Sequence, residues 1–163
     1  MIGVETDVSS EWECGVDWAA LARRAVHAAV AHSRHPGLTD SEVSIKLTSD
    51  AEVRALNAVW RGMDKATNVL SFPMADDRDL SRANLVQGEL LLGDIVLARG
   101  VCESEAAEKG VAVEDHATHL VVHGTLHLLG YDHHDERDAA DMEAREARAL
   151  KRLGIANPYE IPA

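Results

Sequence analysis

Two histidines four residues apart, His123 and His127, are followed six residues later by a third, His133. On a helix, at about 100° per residue, side chains at i and i+4 leave the same face one turn apart, which is bidentate metal-ligand spacing. Gly130 supplies a position that accepts left-handed backbone and can end such a helix. Tyr131 and Asp132 then carry the chain round so that His133 can return toward the pair. Three imidazoles on one zinc-like cation leave its fourth position open, which marks a catalytic rather than a closed structural site. His119 is also four residues from His123, but at 1.5 Å per residue it lies about 12 Å along the axis from His127, so the two cannot share an ion. The glycine-led return beside His127 favours His123, His127 and His133, with His119 as a supporting or core residue. His134 competes with His133 as the returning ligand, and spacing leaves that choice open.

In the zinc-peptidase pattern H-E-x-x-H, the glutamate beside the first ligand is the general base. Here that position is Gly124, so the paired histidines are present without the base. A phosphodiester substrate would need cationic help for its developing charge, and Arg61 and Lys65, before the third strand, are the candidates on chemical grounds. No G-x-S-x-G, G-x-x-x-x-G-K-[ST] or G-x-G-x-x-G stretch occurs. Cys14 and Cys102 stand alone and far apart, which fits a reducing compartment.

The elements that must position these residues follow from periodicity. Ile2, Val4, Thr6 and Val8 alternate as a first strand, and Val43, Ile45 and Leu47 as a second. Between them, Trp18, Leu21, Ala22, Ala25, Val26, Ala29 and Val30 repeat at helical period until Pro36-Gly37. His27, His32 and His35 in this region read as solvated positions. Ser49-Asp50 caps a helix carrying Val53, Leu56 and Val59, and a polar loop from Trp60 feeds a strand over Asn68 to Phe72 closed by Pro73. Residues 74 to 87 read as a surface loop, and Gly88 to Leu97 as a central strand with Gly93 at a bulge or close approach. Helices follow over about 99 to 110 and 113 to 129, the latter buried with a histidine edge. Asp135 caps a last helix from about Glu136 to Leu153, whose charges read as a solvated face. The expected fold is α+β, a small mixed sheet of about four strands packed with about five helices, in a single domain over residues 1–163.

A hydrophobic fraction of 46% with 27% charged residues is that of a folded protein able to bury its own core. A net charge of −12 argues against a general nucleic-acid coat but leaves room for a local basic cleft. The first residues carry acid where a signal peptide needs a basic region, and no run approaches the roughly 18 apolar residues of a membrane helix. A cytoplasmic protein without membrane association is expected.

The stretch His123-Gly-Thr-Leu-His-Leu-Leu-Gly-Tyr-Asp-His133 matches the signature H-G-x-L-H-L-x-G-Y-D-H of the YbeY family of bacterial rRNA-maturation endoribonucleases at every fixed position. Arg61 to Pro73 is similar to that family's second block and Leu92-Gly-Asp-Ile-Val96 to its third. The resemblance implies an α+β fold, one Zn²⁺ on His123, His127 and His133, and a catalytic arginine at Arg61. Lys65 remains a candidate substrate contact. The resemblance further implies single-strand-specific RNA cleavage in 16S rRNA 3′-end maturation and ribosome quality control. Implied partners are rRNA, the small ribosomal subunit or its proteins, and a ribosome-associated GTPase. Ala66 departs from the family, where many members carry Pro before Thr, and that loosens the loop holding Lys65. Two rival expectations are a zinc amidohydrolase or peptidase, and a non-catalytic ribosome-assembly factor with a structural zinc.

Overall fold

Residues 2–82 and 90–159 are described by the structure, a computed structural model. Four strands, β1 (Gly3–Val8), β2 (Ser41–Thr48), β3 (Val69–Pro73) and β4 (Leu90–Ala98), form one sheet in the order β1-β2-β4-β3. β1, β2 and β4 run parallel, and β3 is antiparallel to β4 at the edge. The expected mixed sheet is therefore present. Helix α1 (Trp18–Ala31) joins the parallel neighbours β1 and β2, which a tight hairpin could not do. Gly88 and Glu89, assigned above to the start of the central strand, lie outside the described residues.

Alternation explains the two faces of the sheet. Val43, Ile45 and Leu47 of β2 and Ile95 and Leu97 of β4 point into one apolar cluster with α1 and with α5 (Val113–Leu128). Val96 and Ala98 point the other way, joining Leu70 and Val53 of α2 (Asp50–Arg61). The remaining helices are α3 (Asp77–Arg82), α4 (Arg99–Lys109) and α6 (Glu136–Arg152). α5 packs against α1, α4, α6, β3 and β4, so it is walled in on almost every side. Among the described residues, no helix is long and apolar enough to cross a membrane.

Caps fall where the side chains predict them. Ser49 accepts from Glu52 N–H at 3.2 Å at the start of α2, and Asp135 from Asp138 N–H at 2.8 Å at the start of α6. At Gly93 both anticipated features occur. The register shifts opposite Glu42 and Val43, and an added Cβ would lie 2.2 Å from the Phe72 carbonyl oxygen.

Several local expectations are corrected. Part of the 74–87 loop is helix α3, while residues 83–87 lie outside the described residues. Arg61 ends helix α2 instead of lying in a loop, because Gly62, at φ 67°, supplies the left-handed cap one residue later. Val59 is 75% exposed; Val53 is buried as expected, and the other buried position on that helix is Asn57, whose amide donates to the Lys65 carbonyl at 3.0 Å. His27, His32 and His35 are half-buried. His27 Nε2 is 3.0 Å from the Ile2 carbonyl, a tertiary contact, whereas His32 Nδ1 is 2.9 Å from the Ala28 carbonyl one turn back in the same helix.

Candidate metal centre

Helix α5 presents a column of imidazoles, His116, His119, His123 and His127, with successive ring centroids 6.0, 6.3 and 4.5 Å apart. Its last turn ends at Leu128, and Gly130 at φ 96° reverses the chain as expected. The reversal brings the His133 ring to 5.2 Å from those of both His123 and His127. One nitrogen from each of these three residues lies within 4.8 Å of the other two. His134 turns away, its side chain 77% exposed and 3.1 Å from Asp132.

The outer hydrogen bonds decide which nitrogens face inward. His127 Nδ1 is 2.8 Å from the Tyr131 carbonyl oxygen, which can only accept, so Nδ1 carries the proton. His123 Nδ1 is hydrogen-bonded to a carboxylate oxygen of Glu146, which assigns it the same tautomer. With both rings neutral in this form, the two Nε2 atoms are bare acceptors 3.0 Å apart. Such a pair repels unless a cation lies against it. The separation is close to the roughly 3.3 Å that two nitrogens take at about 2.0–2.1 Å from a tetrahedral ion. The donor set therefore fits a zinc-like ion. Burial, followed by the neighbouring His123, holds the His127 imidazole below its ordinary pKa and favours the neutral form that a metal needs.

Beside the pair lies a cavity of about 560 Å³, lined by His123, His127, Asp132, Asp76, Asp77 and Arg61 among others. Arg61 Nη2 donates to the Ser71 carbonyl at 2.9 Å, and its guanidinium carbon lies 5.8 Å from the Phe72 ring centre. Ser71 thus takes one of five donors and fixes the fork at the cavity wall. Bonds at 2.7 and 3.2 Å from Arg54 to Asp64 brace the turn that follows. Lys65 is not brought to this cavity. It lines a separate hollow with Asp50, Ala51, Arg54, Asp64 and Ala66. A larger hollow of about 850 Å³ on the open face of the sheet contains no histidine and carries none of this chemistry.

Gly124 explains the absent glutamate. A Cβ there would sit 3.0 Å from Ile95 Cγ2, so the position faces β4 and has no room for a longer side chain. Glu146 was missed because the charges of α6 read as a solvated face. Instead it is fully buried, its carboxylate bonded to His123 and to the Tyr159 hydroxyl. Helical phase held the signal, for Met142, Glu146, Ala149 and Leu150 form one buried stripe. Arg145 is also drawn inward, donating to the His32 carbonyl at 2.9 Å and lying over the Tyr131 ring.

Comparison with known proteins agrees with this geometry. The sequence model of the family described as Endoribonuclease YbeY matches residues 7–154. A protein named endoribonuclease YbeY from Sphingopyxis alaskensis is 56% identical, the match covering 98% of both chains. One of the same name from Rhizorhabdus wittichii is 54% identical over 99% of this chain and 98% of its own. A Thermotoga maritima protein solved in solution shares the fold at a TM-score of 0.55 and 21% identity, covering 99% of this chain and 100% of that one.

Proposed function

Because the chain belongs to the YbeY endoribonuclease family, we propose that it is a zinc-dependent, single-strand-specific endoribonuclease that matures the 3′ end of 16S rRNA and serves ribosome quality control. One domain over residues 1–163 carries the activity, in the cytoplasm and in contact with the small ribosomal subunit or its proteins and a ribosome-associated GTPase. The observation that bears most weight is the pair of Nε2 lone pairs 3.0 Å apart on the wall of a cavity that Arg61 shares.

In this reading His123, His127 and His133 hold Zn²⁺, which supplies Lewis acidity at the phosphodiester. Tyr131, through its carbonyl, and Glu146 keep the two helical imidazoles in the tautomer that presents Nε2. Arg61, tied to Ser71, offers its remaining donors to the phosphate oxygens as charge develops on them. Asp76, Asp77 and Asp132 line the same cavity. They repel a misplaced phosphate and leave the arginine as the point where the RNA backbone is accepted. Lys65, beyond the end of α2 and in its own hollow, meets RNA only along the strand's path outside the cavity.

A peptidase reading finds no support, since Gly124 leaves no space for a base. A structural zinc is disfavoured by the exposed His133 and the open cavity. Single-stranded RNA cleavage by Arg61→Ala is the test. The variant should keep its fold and its zinc and lose about 100-fold or more in rate, the scale of an electrostatic stabiliser; undiminished cleavage would remove Arg61 from the reaction. Product ends report the nucleophile, because attack by the RNA 2′-OH leaves a cyclic phosphate and attack by water does not.

A further inference from the structure

Glu146 is a carboxylate with no exposed surface. Both of its oxygens are engaged, one with His123 Nδ1 and the other by the Tyr159 hydroxyl, which donates to it. A carboxylate enclosed in this way is costly unless donors and a nearby cation answer it. Among the described residues its ion-pair contacts are with His119, at 3.7 Å, and His123, and no lysine or arginine pairs with it. The Nδ1 bond to the carboxylate is compatible with the neutral ring that a metal ligand requires. A cation held at Nε2 of that ring answers the carboxylate through the imidazole.

We propose that Glu146 is a positioning residue of the metal centre, fixing the His123 imidazole through Nδ1 and supplying the negative charge that raises cation affinity at Nε2. Tyr159 is its brace. The tyrosine hydroxyl donates to the second carboxylate oxygen and lies 3.3 Å from His119 Nε2, so the carboxylate cannot swing away from His123. This proposal rests on the reading that the three histidines hold a metal ion. It adds a fourth residue, 23 positions beyond His123 and on another helix, to what sets the affinity. A carboxylate behind a ligating histidine makes the imidazole a stronger donor, and losing such a partner weakens metal binding by about 10- to 100-fold.

Glu146→Gln separates charge from shape. Its amide oxygen still accepts from His123 and its amide nitrogen can still donate to the Tyr159 oxygen, so the fold is kept while the charge is lost. Zn²⁺ affinity is measured by competition with a chromophoric chelator, with circular dichroism as the control for folding. The variant should bind zinc about 10- to 100-fold more weakly than the unaltered protein. Equal affinity overturns the proposal and leaves the three-histidine centre standing, whereas failure of the unaltered protein to bind zinc removes both. Tyr159→Phe keeps the charge and removes one donor, so its loss should be smaller; a loss as large as that of Glu146→Gln overturns the assignment to the carboxylate. A readout that needs no variant is ¹⁵N NMR of the histidine rings in metal-free protein. It should find His123 protonated at Nδ1, and a proton on Nε2 alone overturns the positioning role.

Discussion

The residue that explains most about the chemistry is one without a side chain. Gly124 occupies the place of a peptidase base, and its Cα hydrogen is pressed toward Ile95. Gly124→Glu should not create a peptidase. It should drive an unpaired carboxylate into β4 and cost about 3 kcal/mol or more, which denaturant unfolding checks; a stable variant with normal zinc content would show that the helix can move off the sheet. The three-histidine cluster was legible because its spacing is local, an i,i+4 pair and a glycine-led return within eleven residues. Spacing did not separate His133 from His134; the fold does, turning His133 toward the pair and His134 outward to Asp132. Glu146 was illegible because its partner lies on another helix and its neighbours Glu143, Arg145 and Arg148 resemble a solvated face. Only its phase on the Met142–Leu150 stripe betrayed it.

At the scale of elements, the long periodic helices and the alternating strands were readable, since burial of one face imposes the period. Short α3 was not. Six residues cannot show a helical period, and this helix stands on a reciprocal cap, Asp79 N–H to Asp76 Oδ1 at 2.8 Å and Asp76 N–H to Asp79 Oδ2 at 3.1 Å, with Leu80 as its buried anchor. Arg61 shows the cost of a misplaced boundary. Ending α2 at Arg61 rather than before it makes the arginine part of a helix end braced by Asn57 and by the Arg54–Asp64 pair, so its position is firmer than a loop would give. Helix α6 carries Glu146 and begins at Asp135, which makes the cap a test of how strongly that helix is held. Asp135→Ala should lower stability by about 1 kcal/mol in a thermal or urea melt, while zinc binding stays unchanged. A loss of zinc without a loss of stability would place Asp135 in the metal centre itself.

At the scale of the whole molecule, the topology does what the linear order of the blocks does not announce. β4 lies between β2 and β3, so the Arg61 block enters the sheet beside the strand on which α5 rests, and residues some sixty positions apart meet at one cavity. Sequence spacing gives no such distance; the antiparallel pairing of β3 with β4 does. On the proposed function, the net charge of −12 is compatible with an RNA substrate because recognition would be confined to one guanidinium beside the imidazoles rather than spread over a basic face. Everything in this account turns on whether the facing nitrogens of His123 and His127 hold a cation. The direct measurement is zinc per chain by elemental analysis after saturation and exhaustive dialysis, for the unaltered protein and for His127→Ala. The account predicts one zinc per chain in the first and loss of tightly bound zinc in the second, with the helical signal retained. A zinc-free unaltered protein, or a His127→Ala variant that keeps its zinc, would contradict it.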